Sequence, residues 1–115
     1  MNEKKISVLL VDDHQVVRAG FRMLLDSQPF IGSIVDVDRG ELACHEYERQ
    51  RPDVVVMDLS MPGIGGLETI RRLKKQDSQA TVLVYSIHDE SIYVERAIQA
   101  GAKGYVTKNS AAEVL

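Results

Sequence analysis

The sequence predicts an α/β fold in which a doubly wound, five-stranded parallel sheet carries helices on both faces. Three short apolar runs, at residues 6–11, 54–57 and 81–85, are continuous rather than alternating, as strands covered on both faces require. Helical patterns separate these runs, so that strand and helix alternate along the chain. With right-handed crossovers, this order gives a parallel sheet that binds ligands outside the carboxyl ends of its strands.

The first half of the chain supplies two helices around a weaker strand. An apolar stripe, which follows the candidate capping residues Asp12 and Asp13, predicts the first helix. This stripe consists of Val17, Phe21 and Leu24. Residues 33–38 then predict a strand, and residues 41–51 predict a helix that Pro52 ends.

The second half of the chain continues the alternation. The apolar stripes consist of Leu67, Ile70 and Leu73 in the third helix and of Val94, Ala97 and Ile98 in the fourth. Gly101 closes the fourth helix, and residues 104–107 predict the last strand. Ser110 is a candidate cap for a fifth helix over residues 111–115, which is truncated after little more than one turn.

The composition is that of one globular domain. With 115 residues, 44% of them hydrophobic, the chain can form a core but is too short for two domains. It has no secretory signal and no apolar run long enough to cross a bilayer, so we expect a cytoplasmic protein without membrane contact. The formal net charge of −3 argues against direct binding of nucleic acid. Cys44, His14 and His45 are interpreted as helix residues rather than ligands, because nothing pairs with them at metal spacing.

Conspicuous polar residues stand directly after the predicted strands. Asp12 and Asp13 follow the first strand, Asp58 the third, Ser86 the fourth and Lys108 the fifth. Singly, the first pair could cap a helix, Asp58 could be a turn residue before Pro-Gly, and the last two carry little information. Because the carboxyl ends of parallel strands lie along one edge, we expect the whole set to converge in one cleft.

Three carboxylates, a hydroxyl and a lysine suit phosphoryl transfer assisted by a magnesium ion. Clustered carboxylates repel one another unless a cation lies among them, and oxygen ligands suit Mg²⁺. If Asp58 attacks a phosphoryl group, it exchanges its own charge for about −2, which makes about −4 with the other two carboxylates. Mg²⁺ and Lys108 bring this back to about −1. Catalysis would then rest on positioning and charge neutralisation, with Asp58 as the nucleophile.

The same residues resemble those of response-regulator receiver domains. The pattern comprises DD after the first strand, D-x-x-M-P-G after the third, S after the fourth and G-Y-x-x-K around the fifth, and it covers essentially the whole chain. The stretches DDHQVVRAGF, SIHD and GAKGYVTK are most similar to those of the LuxR/FixJ-type, NarL-like transcription regulators. The resemblance implies the flavodoxin-like form of the predicted fold, a two-component system and a carboxyl-terminal helix-turn-helix output.

The resemblance also implies roles for individual residues. Asp58 would accept a phosphoryl group from the phosphohistidine of a sensor histidine kinase. Asp13, Asp58 and the backbone carbonyl of Ser60 would hold Mg²⁺, and Asp12 would act mostly through a water molecule. No other cofactor is implied.

A conformational switch is implied in the same way. Ser86 and Lys108 would bind the phosphoryl oxygens, and Tyr105 would turn inward on activation. Two further positions bear on access to the acceptor. Ile87 stands where most receivers have a small residue, so it could narrow access to the acceptor, and His88 stands where the family tunes access of the hydrolytic water.

Other classes of function fit the residues less well. An Mg-dependent aspartyl-nucleophile phosphatase needs a second Asp two positions after the nucleophile, where this chain has Ser60. A dinucleotide-binding domain, suggested by GIGG at 63–66, lacks the third glycine of its motif, where Glu68 stands. A phosphorylation-independent scaffold would typically lack the acceptor. We therefore expect a regulatory domain that catalyses at most its own phosphorylation and dephosphorylation.

Residues 1–115 are expected to be the receiver of a longer regulator, whose DNA-binding output domain is absent from this chain. The truncated fifth helix should leave apolar surface exposed beside the first helix, which would favour self-association. Expected partners are the sensor histidine kinase, the regulator's own output domain and, on phosphorylation, a second copy. The chain itself is acidic and has no basic recognition helix, so it should not bind DNA.

Overall fold

A computed structural model describes residues 5–59, 61, 63–86 and 91–107, which form five strands and four helices in strict alternation. The elements are β1 (Ile6–Val11), α1 (Gln15–Asp26), β2 (Ile31–Val37), α2 (Gly40–Gln50), β3 (Val54–Asp58), α3 (Gly65–Gln76), β4 (Val82–Ser86), α4 (Ser91–Ala100) and β5 (Gly104–Thr107). This alternation confirms the predicted fold class. The predicted fifth helix lies outside the described residues.

The five strands form one parallel sheet in the order β2-β1-β3-β4-β5. In its register, Val11 at the end of β1 lies beside Val37 and Met57, and Ser86 at the end of β4 lies beside Thr107. The carboxyl ends of the strands therefore share one edge. The chain leaves β1 toward β2 and then crosses to β3, so the topological switch point lies between β1 and β3, where such sheets bind ligands.

Helices cover both faces of the sheet and divide the core into two clusters. On one face, Leu9 and Val11 of β1 pack with buried residues of α2, α3 and α4, including Ile70 and Leu73. On the other face, Val8 and Leu10 pack with α1. Because alternate residues of β1 enter different clusters and both are buried, a continuous apolar run was the correct signal for a central strand.

The predicted buried face of α1 is correct at Phe21, which is half-buried, but wrong at Val17 and Leu24. Val17 and Leu24 are 39% and 41% exposed, whereas Leu25 is buried. Phe21 and Leu25, four residues apart, turn toward the sheet, and the Phe21 ring packs on Tyr85 with centroids 4.7 Å apart. The buried stripe is therefore displaced by one residue at its carboxyl-terminal end.

The predicted capping role of Asp12 and Asp13 is also wrong, because α1 begins at Gln15 and its N-cap is His14. The Asp12 carboxylate instead accepts a hydrogen bond from the His14 backbone N–H, before the helix begins.

None of the helices in the described part of the chain is long and apolar enough to cross a bilayer.

An apolar groove of about 190 Å³ opens on the α1 side of the sheet. Its lining includes Phe21 and Leu25 of α1, Leu83 of β4 and Val106 of β5. Leu83 is 38% exposed although it lies on an inner strand.

The turn from β3 into α3 needs glycine both for its backbone angles and for the close approach of α3 to the end of β3. Gly63 and Gly65 have φ angles of 78° and 77°, which glycine adopts without steric cost. At Gly66, a β-carbon would lie 2.5 Å from the carbonyl oxygen of Asp58 and 2.6 Å from the Cα of Leu59. Gly63 and Gly65 thus allow the turn, and Gly66 allows the close packing of α3 on the backbone of Asp58 and Leu59.

We predict that Gly66→Ala lowers the free energy of unfolding by about 1–3 kcal/mol, because the contacted atoms belong to the backbone and cannot rotate away. The matched control is Gly20→Ala in α1, where a β-carbon would meet nothing within 4 Å. That change should raise stability by about 0.5–1 kcal/mol through helix propensity. Urea denaturation measures both, and equal effects of the two substitutions would contradict the packing role of Gly66.

Candidate functional site

Strands β1 and β3 bring three carboxylates together at the carboxyl edge of the sheet. Asp12 and Asp58 are fully buried, and Asp13 is half-buried. One oxygen from each of these residues and the Nδ1 atom of His14 all lie within 4.8 Å of one another. The predicted convergence of Asp12, Asp13 and Asp58 is therefore present, at the switch point of the sheet.

The Asp12 carboxylate is held by residues from two other elements. Its Oδ2 atom accepts a short hydrogen bond from the Tyr85 hydroxyl of β4, and its Oδ1 atom accepts one of 2.8 Å from the backbone N–H of His14. The Arg18 guanidinium of α1 donates to the Asp12 carbonyl oxygen at 2.7 Å. Arg18 also lies 3.1 Å from the Asp36 carboxylate of β2. Asp12 is thus held in position by Tyr85 of β4, by the backbone of His14 and by Arg18 of α1.

Tyr85 is a site residue that sequence reasoning missed. Burial raises the pKa of the Tyr85 hydroxyl, and the hydrogen bond to Asp12 and the negative charges of Asp12 and Asp58 raise it further. The hydroxyl therefore stays protonated and acts as a donor. A signal existed in the sequence, because Tyr85 is the only residue with a side-chain hydroxyl between positions 82 and 85 of an otherwise apolar strand. Sequence reasoning counted Tyr85 as core only.

His14 is exposed as expected, but it lies just before α1 rather than in the helix, and the expectation that nothing pairs with it at metal spacing is wrong. Its side chain is 54% exposed, yet its Nδ1 atom lies 3.2 Å from Asp12 Oδ1, 3.2 Å from Asp13 Oδ1 and 3.5 Å from Asp58 Oδ2. Spacing rules missed this contact because the three carboxylates come from two strands. His45, by contrast, is exposed on α2, as expected.

The carboxylate cluster has the chemistry of a site for a hard divalent cation. Asp13 Oδ1 is buried and has no hydrogen-bond partner among the described residues, although the His14 ring lies close by. Three carboxylates at this spacing repel one another unless positive charge lies between them. Oxygen donors at a partly open edge suit Mg²⁺, which retains several waters when bound. The residues therefore fit the ion expected from the sequence.

Ser86 and Tyr105 lie on the strands next to the carboxylates. Ser86 is buried at the end of β4, one residue beyond Tyr85, whose register partner on β3 is Asp58. Tyr105 is half-buried on β5 and packs against the core cluster under α2, α3 and α4. Four other residues predicted to matter lie outside the described residues: Ser60, Ile87, His88 and Lys108.

A polar cleft of about 370 Å³ opens beside Asp13, bordered by Asp38, Arg39, Glu41 and Gly63. Asp38 and Arg39 form an ion pair of 3.1 Å, and the hydrogen bond from Arg39 lowers the pKa of the Asp38 carboxyl. Of the three site carboxylates, the cleft reaches Asp13, from the side of β2. It gives the half-buried Asp13 a route to solvent.

Comparison with known proteins identifies the family of the chain. The family model of the response regulator receiver domain matches residues 8–115. The transcriptional regulatory protein DegU of Brevibacillus brevis is 38% identical over 115 residues, which are all of this chain and 49% of that protein. The response regulator UvrY of Escherichia coli K12 is 41% identical over 106 residues, 92% of this chain and 49% of that protein. The chain thus spans about half the length of these curated relatives.

Solved structures extend the likeness to three dimensions. A two-component response regulator of the LuxR family from Aurantimonas sp. SI85-9A1 has a TM-score of 0.91 at 38% identity, covering 96% of this chain and 80% of that one. The signal receiver domain of the putative response regulator NarL from Mycobacterium tuberculosis has a TM-score of 0.90 at 30% identity, and the match covers 96% of this chain and 90% of that one. With a receiver-family match over nearly its whole length and the carboxylates at the switch point of the sheet, the chain belongs to the response-regulator receiver domains of two-component systems, among their LuxR-family, NarL-like members.

Proposed function

We propose that Asp58 is the phosphoacceptor of this receiver. The observation that carries the proposal is that Asp58 is fully buried at the carboxyl end of β3, with the carboxylates of Asp12 and Asp13 beside it. Transfer from a phosphohistidine of a sensor histidine kinase would form a bond between an Asp58 oxygen and phosphorus. The bond between phosphorus and the histidine nitrogen would break, and its electron pair would leave with the imidazole.

Asp12, Asp13, Asp58 and the backbone carbonyl of Ser60 are proposed to hold Mg²⁺. The ion supplies positive charge, which offsets the carboxylates and the incoming phosphoryl group. Asp12 would contribute mainly through a water molecule, because each of its oxygens already accepts a hydrogen bond, from Tyr85 or from His14, and has less capacity left for direct ligation. The hydrogen bonds to Asp12 thus support a site in which Asp13 and Asp58 coordinate the ion directly and Asp12 acts through a water molecule.

Receiver domains are regulatory phosphoacceptors rather than conventional enzymes. We propose that this chain follows the family and acts on no substrate other than its own aspartyl phosphate. An aspartyl-nucleophile phosphatase would need an acid or base two residues after Asp58, and Ser60 is a poor one. The comparisons with known proteins favour the receiver over this alternative.

We propose that Ser86, Lys108 and Tyr105 form the switch that reports phosphorylation. Support for Ser86 comes from its burial at the end of β4, on the strand next to that of Asp58. Tyr105 lies half-buried on β5, where a change in its surroundings could alter its exposure. Lys108 follows directly on the last strand in the sequence.

In the whole protein, the receiver is proposed to control a DNA-binding helix-turn-helix domain and so to regulate transcription in the cytoplasm. Support comes from DegU, which is named as a transcriptional regulatory protein, and from the fact that DegU and UvrY are both about twice as long as this chain. A solved structure named as a DNA-binding response regulator of the LuxR family, from Staphylococcus aureus, also matches at 26% identity and a TM-score of 0.86. Phosphorylation is proposed to promote a homodimer, while the receiver itself makes no contact with DNA.

We predict that Asp58→Asn removes phosphorylation by phosphoramidate and Mg²⁺, because an amide cannot act as the attacking oxygen nucleophile. Intact mass should show one added phosphoryl group on the wild type and none on the variant. The matched control is Asp53→Asn, which changes the same residue type at the opposite end of β3 and should leave phosphorylation unchanged. A phosphoryl group on Asp58→Asn, gained at the wild-type rate, would place the nucleophile elsewhere.

A second prediction concerns the size of the switching energy. Hydrogen bonds to charged groups contribute about 1.5–3 kcal/mol each, so Ser86 and Lys108 together supply about 3–6 kcal/mol. Moving a two-state equilibrium from about 1:99 to 99:1 needs about 5.5 kcal/mol. Ser86→Ala should therefore still be phosphorylated but should reach the active state only in part.

Chemical shifts of Tyr105 in the phosphorylated variant test this prediction, because they should lie between those of the inactive and active wild type. The unphosphorylated variant is the control for direct effects of the substitution. If the phosphorylated variant instead matched the phosphorylated wild type, Ser86 would have no part in the switch.

A further inference from the structure

The position of His14 gives the metal site a nitrogen donor that an all-oxygen site would lack. Its Nδ1 atom lies 3.2 Å, 3.2 Å and 3.5 Å from one oxygen each of Asp12, Asp13 and Asp58. One nitrogen therefore faces all three carboxylates at once. His14 was not among the metal ligands predicted from the sequence.

These separations are those of neighbouring ligands around one cation. In an octahedral site with bonds of about 2.0–2.1 Å, adjacent ligand atoms lie about 3 Å apart and opposite ones about 4 Å apart. The His14 Nδ1 atom lies 3.2 Å from Asp13 Oδ1 and 3.5 Å from Asp58 Oδ2, so a contraction of a few tenths of an ångström would bring it to the distance of adjacent ligands. Nδ1 thus occupies a ligand position beside the carboxylate oxygens.

The backbone holds His14 in this place. Its N–H donates to Asp12 Oδ1 at 2.8 Å, and His14 is the N-cap residue immediately before α1. Its carbonyl oxygen accepts from the backbone N–H of Arg18 at 2.8 Å. Both backbone groups are therefore anchored, and the ring does not depend on a long flexible segment to reach the carboxylates.

We propose that His14 is a fourth protein ligand of the divalent cation, and that it shifts the preference of the site from Mg²⁺ toward first-row transition cations. Imidazole nitrogen suits cations such as Ni²⁺, Zn²⁺ and Cu²⁺, whereas Mg²⁺ prefers oxygen. This inference rests on the proposed function, in which the same carboxylates hold a divalent cation. It adds a specificity-determining residue to that site.

The test is titration calorimetry of the untagged chain with Ni²⁺ alone and with Mg²⁺ alone, at pH 8 in a non-coordinating buffer. His14→Ala should weaken Ni²⁺ binding about tenfold or more while Mg²⁺ affinity changes much less. His14→Gln, which replaces the nitrogen donor by an amide oxygen, should keep Mg²⁺ affinity and still lose Ni²⁺ affinity. His45→Ala removes an exposed histidine of α2 and is the matched control, with no change expected for either ion.

Pulsed electron paramagnetic resonance of bound Mn²⁺ gives a readout independent of affinity. We expect a ¹⁴N coupling from a coordinated imidazole in the wild type and in His45→Ala, and none in His14→Ala. Equal changes in Ni²⁺ and Mg²⁺ affinity in His14→Ala would overturn the inference, since the ring would then only occupy or block the site. A wild type that binds neither ion would overturn the proposed metal site as well, which separates the two failures.

Discussion

Two fully buried carboxylates, those of Asp12 and Asp58, lie beside a third at the carboxyl edge of the sheet, and their mutual repulsion is the constraint on which the site depends. At an effective dielectric constant of about 20, two unit charges about 4 Å apart interact by about 4 kcal/mol. Such a cost persists in a folded protein only where hydrogen bonds and nearby cations offset it. The Tyr85 hydroxyl and the backbone N–H of His14 supply part of that compensation at Asp12. The repulsion that these hydrogen bonds leave uncompensated favours the binding of a divalent cation among the carboxylates.

The sheet makes this arrangement possible because each carboxylate is attached to a different, rigid position. Asp12 and Asp13 follow β1, and Asp58 ends β3, which is paired with β1 along four residues. The glycine at position 66 allows α3 to approach the backbone behind Asp58. Packing, topology and charge therefore support one another, and the site is built from residues 46 positions apart in the chain that no local segment could bring together.

Much of this could be predicted from the sequence, because a strand buried on both faces requires a continuous apolar run and a parallel sheet requires its strand ends to meet. The face of α1 could not, since Val17, Phe21 and Leu24 satisfy helical spacing as well as Phe21 and Leu25 do. The choice between them depends on which side chains the sheet accommodates, and that is a tertiary property.

The roles of Tyr85 and His14 were missed for a related reason. From the sequence alone, a tyrosine in an apolar strand is interpreted as a core residue. Only the fold shows that the Tyr85 hydroxyl donates to Asp12, which lies two strands away in the sheet. His14 follows the aspartate pair directly, but its value as a donor depends on Asp58 arriving from β3. Local spacing cannot report a contact that the topology creates.

The stability of Asp13→Asn with and without Mg²⁺, measured by urea denaturation at pH 8, tests the role of charge repulsion at this edge most directly. Without a divalent cation, removal of one repelling charge should make the variant more stable than the wild type by about 1 kcal/mol or more. With Mg²⁺ in excess, the wild type should gain more stability than the variant, because at a given concentration a ligand stabilises the folded state more when it binds more tightly. A variant that is less stable than the wild type without the cation, and that gains as much from Mg²⁺, would contradict the claim that charge repulsion at this edge defines the metal site.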